Sequence, residues 1–131
     1  MINLDYLCTK IGQEIGEMKK ERNESTLSTL RKALGILQED GVYAMFLWLE
    51  KENSGIRKKL TTELNGSDIV KKYLLQNSEG FRDDFKEFCK DLSELSQDID
   101  KLFFLKKILE RSLTYALYHA KVKGEENVAE T

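Results

Sequence analysis

Apolar residues recur every three or four positions along most of the chain, which is the period of a helix that buries one face. The first such stripe runs from Leu4 to Met18, and the second runs from Leu27 to Leu37. Gly41 follows the second stripe, and glycine commonly ends a helix because it adopts the left-handed conformation without strain. The pattern therefore predicts two amphipathic helices, the second of which ends at Gly41.

Three shorter helices are expected in the middle of the chain. The segment Val42–Leu49 is apolar on every face, which indicates a helix buried on nearly all sides. The segment Ile56–Leu64 has an apolar residue at every fourth position and predicts a helix that closes at Gly66. The third helix begins after Ser67, because serine side chains commonly cap helix N-termini.

The most regular apolar pattern lies in the second half of the chain. Steps of four and three residues predict one helical seam, formed by Phe81, Phe85, Phe88, Leu92, Leu95, Ile99 and Leu102. The seam is either core or an exposed surface for self-association or a partner helix. The pattern fits either one helix of unusual length or two helices whose apolar residues share the same register. We favour a break near Ser96-Gln97-Asp98, where serine or aspartate caps a new helix.

These elements predict an all-α fold, a compact bundle of about six helices. Residues 1–123 form a single domain, and residues 124–131 are expected to be a frayed acidic tail. No proline interrupts the chain, and 40% hydrophobic with 34% charged residues excludes both a disordered tail and a membrane protein. Because no membrane span or signal peptide is recognisable, we expect a cytoplasmic protein.

The sequence contains few residues suited to catalysis or to metal binding. It has two cysteines, Cys8 and Cys89, and one histidine, His119. Both cysteines lie on apolar stripes, where cysteine behaves as a small buried hydrophobe, and a zinc site would need four ligands. No glycine-rich phosphate loop or nucleophile elbow occurs. We therefore expect no cofactor and no enzymatic activity.

Two weaker patterns suggest chemistry. Arg111 and His119 resemble the paired residues of helical nucleic-acid-cleaving toxin domains and suggest an RNase as an alternative, but a helix places them about 80° apart. The carboxylate pairs Asp83-Asp84 and Asp98 with Asp100 suggest a cation site or an acid/base pair. Neighbouring Lys and Arg residues favour solvent-facing ion pairs for them instead.

Charge is unevenly distributed although the net charge is only −2. Positions 79–100 carry eight acids and three bases, whereas positions 101–123 carry six bases and one acid. Two further basic clusters are Arg57-Lys58-Lys59 and the group Lys19, Lys20 and Arg22. Such patches bind phosphate backbones or are simply solvated faces. Acidic and basic stretches also favour head-to-tail association of copies.

Two segments resemble a known family. The run from Ile36 to Lys51, with its polar-glycine break, resembles the small all-helical subunit of type III CRISPR effector complexes of the Cmr kind. The segment from Leu105 to Leu117 is similar to the final helix of that family, in which basic residues precede an apolar C-terminal part. The segment Tyr115–His119 is also similar to the end of the corresponding Csm subunit, so both subfamilies stay open.

This resemblance implies a non-catalytic subunit in antiviral defence that stacks in copies within an RNA-guided complex and helps to hold target RNA. Its partners would be the other effector subunits and the RNA backbone, with weak RNA binding by the subunit alone. Lys106, Lys107 and Arg111 are the implied backbone contacts, unless they pair with Glu110 and the preceding acids. Arg57, Lys58 and Lys59 are further candidate contacts with the RNA backbone because of their positive charge. The alternative is a helical protein-interaction module that binds no nucleic acid.

Overall fold

The spacing of apolar residues produces helices along nearly all of the described chain. The computed structural model describes residues 4–18 and 26–130, with side chains as far as residue 122. Its elements are α1 (Leu4–Gly16), α2 (Thr26–Asp40), α3 (Val42–Glu52), α4 (Ser54–Asn65), a π-helix (Ile69–Leu74), α5 (Phe85–Leu95) and α6 (Ile99–Glu130). The described residues contain no strand, and the predicted all-α bundle of about six helices is confirmed.

The long helix α6 is the element around which the bundle is built. It packs most extensively against α1 and then against α2, while α3 bridges α2, α4 and α5. The core side of α6 is fully apolar except for Ser112, and its buried members include Leu105, Ile108, Leu109, Leu113 and Ala116. Helix α1 approaches α6 closely at Gly12 and Gly16, because neither residue has a side chain to separate the two backbones.

The predicted helix boundaries follow from local capping. Gly41 has a φ of 101°, which allows the chain to turn directly from α2 into α3. The side chain of Asn53 accepts a hydrogen bond from the Ile56 amide at 3.1 Å and begins α4. At the start of α6, the carboxylate of Asp98 accepts bonds from the amides of Asp100 and Lys101. The predicted break between two helices is therefore confirmed, with Asp98 as the cap.

Helix α3 is less buried than its sequence predicted. Phe46 and Leu49 are buried on one side, whereas Tyr43 and Leu47 are 44% and 46% exposed on the other. The prediction of burial on nearly all sides was wrong because α3 packs against its neighbours along one face and leaves a stripe open to solvent.

The aromatic seam is mostly core, as favoured, but it is not one continuous helical stripe. Phe81 precedes α5 and is buried because the Asn65 side chain holds its backbone, accepting from the amide at 2.7 Å and donating to the carbonyl at 2.9 Å. Phe88 is fully buried among other rings, whereas Ile99 is 61% exposed. The exposed part of the seam is therefore limited to the beginning of α6.

Helix α6 extends through Glu130, past the predicted domain end at residue 123. The side chains of residues 123–130 lie outside the described part, so fraying of 124–131 stays a prediction. The basic group Lys19, Lys20 and Arg22 lies outside the described residues. Within the described ranges, no helix combines the length and apolarity that crossing a bilayer requires.

Candidate nucleic-acid interface

Helix α6 presents an outward face opposite the buried one. Steps of four residues place Ile99, Phe103, Lys107 and Arg111 along this face, and Tyr118 follows two turns later. All five residues are exposed in the structure. We call these five residues the α6 outward face. It combines three large apolar or aromatic side chains with two cations, which distinguishes it from an ordinary solvated helix surface.

Lys107 and Arg111 are the two predicted contacts that this arrangement leaves most accessible. Both are exposed, and among the described residues neither of them forms an ion pair. Residues four apart on a helix have their Cβ atoms about 6 Å apart, so the two cations are able to reach neighbouring groups of one ligand. Their positive charge is therefore free to meet an external anion.

Lys106 differs from these two residues. Its Nζ lies 3.9 Å from Oε1 of Glu110, one turn along the helix, and both side chains are about one third exposed. The predicted pairing with Glu110 is confirmed for this residue. Such an exposed pair contributes little stability and exchanges readily, so Lys106 lies at the edge of the outward face as a partly neutralised cation.

Arg57 was predicted as a phosphate contact, and this prediction was wrong. The residue is 1% exposed, and its Nε donates to Oε2 of Glu50 at 2.6 Å. The guanidinium lies over the rings of Phe85 and Phe88, at 5.2 and 5.6 Å from their centroids. Because arginine stacks on aromatic faces while it binds a carboxylate, the side chain is held inside the bundle. It joins α3, α4 and α5 and does not reach solvent.

The remaining members of that cluster lie on α4, away from the outward face. Lys58 is exposed, whereas Nζ of Lys59 pairs with Oε2 of Glu14 on α1 at 3.3 Å. Helix α4 packs on α3 and α1, and no extensive α4–α6 packing occurs in the described part of the chain. The structure thus gathers Lys106, Lys107 and Arg111 on one helix and leaves Lys58 and Lys59 on another.

The acidic stretch is organised by one arginine. The Arg82 guanidinium contacts Oε2 of Glu87 at 2.6 Å and Oδ1 of Asp91 at 2.7 Å. A bidentate arginine–carboxylate arrangement is the strong form of a surface ion pair. The Asp84 carboxylate accepts from the Glu87 amide and caps α5, as Asp98 caps α6. In the described residues Asp84 and Asp98 serve as helix caps, which is a different role from the solvent-facing ion pairs expected for them. The acids that pair with Arg82 are Glu87 and Asp91 instead.

The remaining candidate residues lie in different surroundings. His119 is half-buried, with its Cβ against the backbone of α1 at Gly16, whereas Arg111 faces outward. In the residues that the structure describes, no group of three or more His, Cys, Asp or Glu side chains is placed to hold a metal ion. Cys8 and Cys89 are both free thiols, and burial raises the pKa of the Cys8 thiol.

Two surface cavities lie apart from the outward face. The larger, about 240 Å³, lies between α1 and the end of α4 and is lined by residues that include Tyr6, Lys10 and Asp68. The other, about 200 Å³, is lined in part by Glu94 and Lys101 beside the π-helix. Both are lined by side chains of opposite charge, and neither contains a residue of the outward face.

Comparison of the chain with protein-family models, curated proteins and solved structures gave no match. The functional interpretation therefore depends on the residues and geometry described above.

Sequence reasoning identified the cations of α6 but missed the aromatic residues beside them. Phe103 and Tyr118 are 60% and 58% exposed, and Nζ of Lys121 lies 5.7 Å from the Tyr118 ring centroid. The four-residue step from Phe103 to Lys107 was visible in the sequence. The apolar seam does not indicate this step, because the seam includes Leu102, which lies about 100° around the helix from Phe103.

Proposed function

We propose that the protein is a non-catalytic subunit of an RNA-guided assembly of the type III CRISPR kind, and that the α6 outward face contacts the RNA backbone. The observation that carries this proposal is the exposed pair Lys107 and Arg111, one turn apart and without an acidic partner in the described chain. The acids Glu87 and Asp91 pair with Arg82, and Asp98 caps the start of α6. These three acids of the acidic stretch therefore already have partners elsewhere in the same molecule.

Phosphate binding by so few cations is expected to be weak in one copy. Each phosphate contact on a single strand contributes about 0.7 to the slope of log affinity against log salt concentration. Lys106, Lys107 and Arg111 together then give a slope of about 2. Several copies arrayed along one RNA would add their contacts by raising the effective concentration of each next site. Weak binding alone and tight binding in an assembly is the behaviour that this proposal expects.

Two structural features support the particular family. The α2–Gly41–α3 turn corresponds to the polar-glycine break on which the resemblance rests, with Gly41 at a φ of 101°. The final helix carries its basic residues on the outside and buries Leu113 and Ala116 on the inside. These features are compatible with the Cmr-like and the Csm-like subfamily alike.

The first test measures RNA binding by fluorescence anisotropy across a salt series. A labelled single-stranded RNA is titrated with the native protein and with the double variant Lys107→Glu/Arg111→Glu. The control, Lys51→Glu/Lys72→Glu, makes the same charge change at exposed positions on α3 and the π-helix. We expect the α6 variant to lower the salt slope by about 1.4 and the control to preserve it. An equal loss in both variants would show that only net charge matters.

The second test addresses the assembly. The tagged protein is isolated from its own cells at low salt, and the copurifying RNA and proteins are identified by sequencing and mass spectrometry. Guide RNAs that carry repeat-derived ends, recovered with further protein subunits, are the expected result. Recovery of a protein partner without RNA would contradict the proposal.

A protein-interaction module without nucleic acid is the second candidate function. It is favoured by one observation: Ile99 and Phe103 form an apolar patch at the start of α6, 61% and 60% exposed. Exposed apolar patches of this kind commonly mark protein interfaces. Association through the patch would respond little to salt, and Ile99→Asp would abolish it.

A further inference from the structure

The aromatic residues of the α6 outward face show what form of RNA fits the face. Phe103 is 60% exposed, and in the part of the chain that the structure describes its ring contacts no other ring. Its neighbour Phe104 instead packs edge-on against Tyr73, with 5.5 Å between the centroids. The adjacent phenylalanines are therefore in different situations, since one stabilises the π-helix against α6 and the other is open to a ligand.

The second exposed ring lies further along the same face. Tyr118 is 58% exposed, and Lys121 lies against its ring at 5.7 Å. At about 1.5 Å per residue, Phe103 and Tyr118 are roughly 22 Å apart along the helix axis. Lys107 and Arg111 lie between them, so the face has an aromatic ring at each end and two cations in the middle.

This order of side chains suits unpaired nucleotides better than a duplex. A duplex keeps the faces of its bases stacked inside and presents phosphates and sugars to a protein surface. The Phe103 ring has no polar atom with which to bind a phosphate or a 2′-hydroxyl, and it would have to lie against charged groups. An unpaired base, in contrast, stacks on an aromatic ring while its phosphate binds a nearby cation.

Resting on the proposed RNA-binding function, we propose that the α6 outward face holds RNA as a single strand, with unpaired bases stacked on Phe103 and Tyr118 and phosphates bound by Lys107 and Arg111. Lys121 belongs to the same site: its ammonium group lies over one face of the Tyr118 ring, so a base would stack on the opposite face. Since every base has a stacking face, binding should depend little on sequence.

The test compares labelled oligoadenylate, the same strand annealed to oligouridylate, and the same strand with its bases removed. The double variant Phe103→Leu/Tyr118→Leu removes both rings but retains apolar side chains and every cation. We expect it to weaken binding of the single strand at least tenfold. It should leave duplex binding and the salt slope unchanged. The abasic strand should bind the native protein about as weakly as the single strand binds this variant.

The control variant is Leu47→Ala, which removes an exposed apolar side chain of α3 that lies outside the α6 outward face. It should leave RNA binding unchanged, and circular dichroism should show that all variants are folded, because the substituted residues are exposed. Equal binding of duplex and single strand, with no loss in the ring variant, would overturn the stacking proposal. The proposed function would still stand in that case if Lys107→Glu/Arg111→Glu lowered the salt slope.

A different outcome would overturn both proposals. No RNA binding at low salt, together with concentration-dependent association that Ile99→Ala and Phe103→Leu abolish, would assign the face to a protein partner. Retained single-strand binding that falls equally for Ile99→Ala and for the ring variant would also contradict stacking. It would show that apolar contact area, and not the aromatic rings, contributes the affinity.

Discussion

The substitution Gly12→Ala should destabilise the protein although alanine is the better helix former. A Cβ atom at Gly12 would lie 2.5 Å from the Cβ of Tyr115 and 3.1 Å from the backbone nitrogen of Ala116. Neither atom belongs to the flexible end of a side chain, so relief requires α1 to move away from α6. These two helices form the most extensive helix pair in the bundle, and a shift would loosen contacts along their whole length.

The magnitude follows from two opposing contributions. Alanine in place of glycine inside a helix gains about 1 kcal/mol. Overpacking a well-packed contact costs about 1–3 kcal/mol and more where backbone must move. Because two atoms of the contact are fixed by α6 itself, we place the cost at the top of this range, about 3 kcal/mol, and expect a net loss of about 2 kcal/mol. For a domain of this size, that loss lowers the melting temperature by roughly 6–10 °C.

The assay is urea and thermal unfolding followed by far-ultraviolet circular dichroism, with Gly35→Ala as the matched control. Gly35 is also helical, and a Cβ atom there would meet nothing within 4 Å. This control should gain about 0.5–1 kcal/mol from reduced freedom of the unfolded chain. If Gly12→Ala were as stable as Gly35→Ala, the close approach of α1 to α6 would be wrong.

Three further predictions concern side chains whose surroundings are distinctive. Arg57→Ala should lower the free energy of unfolding by about 3 kcal/mol in urea titrations, because it leaves a carboxylate and two rings without their partner. The hydrogen bond that the Tyr115 hydroxyl donates to Asp5 raises the pKa of that tyrosine above 10.0. The stability from this bond is present below pH 10 and is lost as the pH rises through the raised pKa; Asp5→Asn should shift the Tyr115 transition to lower pH in an absorbance titration. Cys8 should react with a thiol reagent only on unfolding, whereas the half-buried Cys89 should react first in the native protein. Mass mapping of the modified peptides gives the order of reaction, and modification of Cys8 before Cys89 would contradict this prediction.

Helix positions were predictable from the sequence because they depend on local signals. The period of apolar residues, the left-handed glycine at Gly41 and the capping aspartate at Asp98 all act within one or two turns. The end of α2 and the break before α6 therefore follow from the sequence alone. The π-helical geometry of Ile69–Leu74 does not, since the same apolar spacing fits an ordinary helix.

Arg57 shows why part of the candidate site was predicted wrongly. In sequence it begins the basic run Arg57-Lys58-Lys59, and a charge in such a run is usually solvated. Its partners come from other helices: Glu50 on α3 and the ring of Phe88 on α5. Only tertiary packing brings these groups together, so no local pattern distinguishes the buried arginine from the exposed lysine that follows it.

The division of charge between α5 and α6 explains how a protein with a net charge of −2 can still offer a basic surface. A phosphate responds to the potential at its own position, which nearby charges dominate because salt screens those beyond about 8–10 Å. Arg82 holds Glu87 and Asp91 on α5, and Asp98 is turned to the first amides of α6. Near Lys107 and Arg111 the acid of their own helix is Glu110, which is paired with Lys106. Reversing the Arg82 charge should therefore leave Glu87 and Asp91 without their partner, but it adds no acid to α6. The Arg82→Glu variant should weaken RNA binding far less than Arg111→Glu, and an equal effect of the two substitutions would mean that the whole surface, and not the outward face, attracts the RNA.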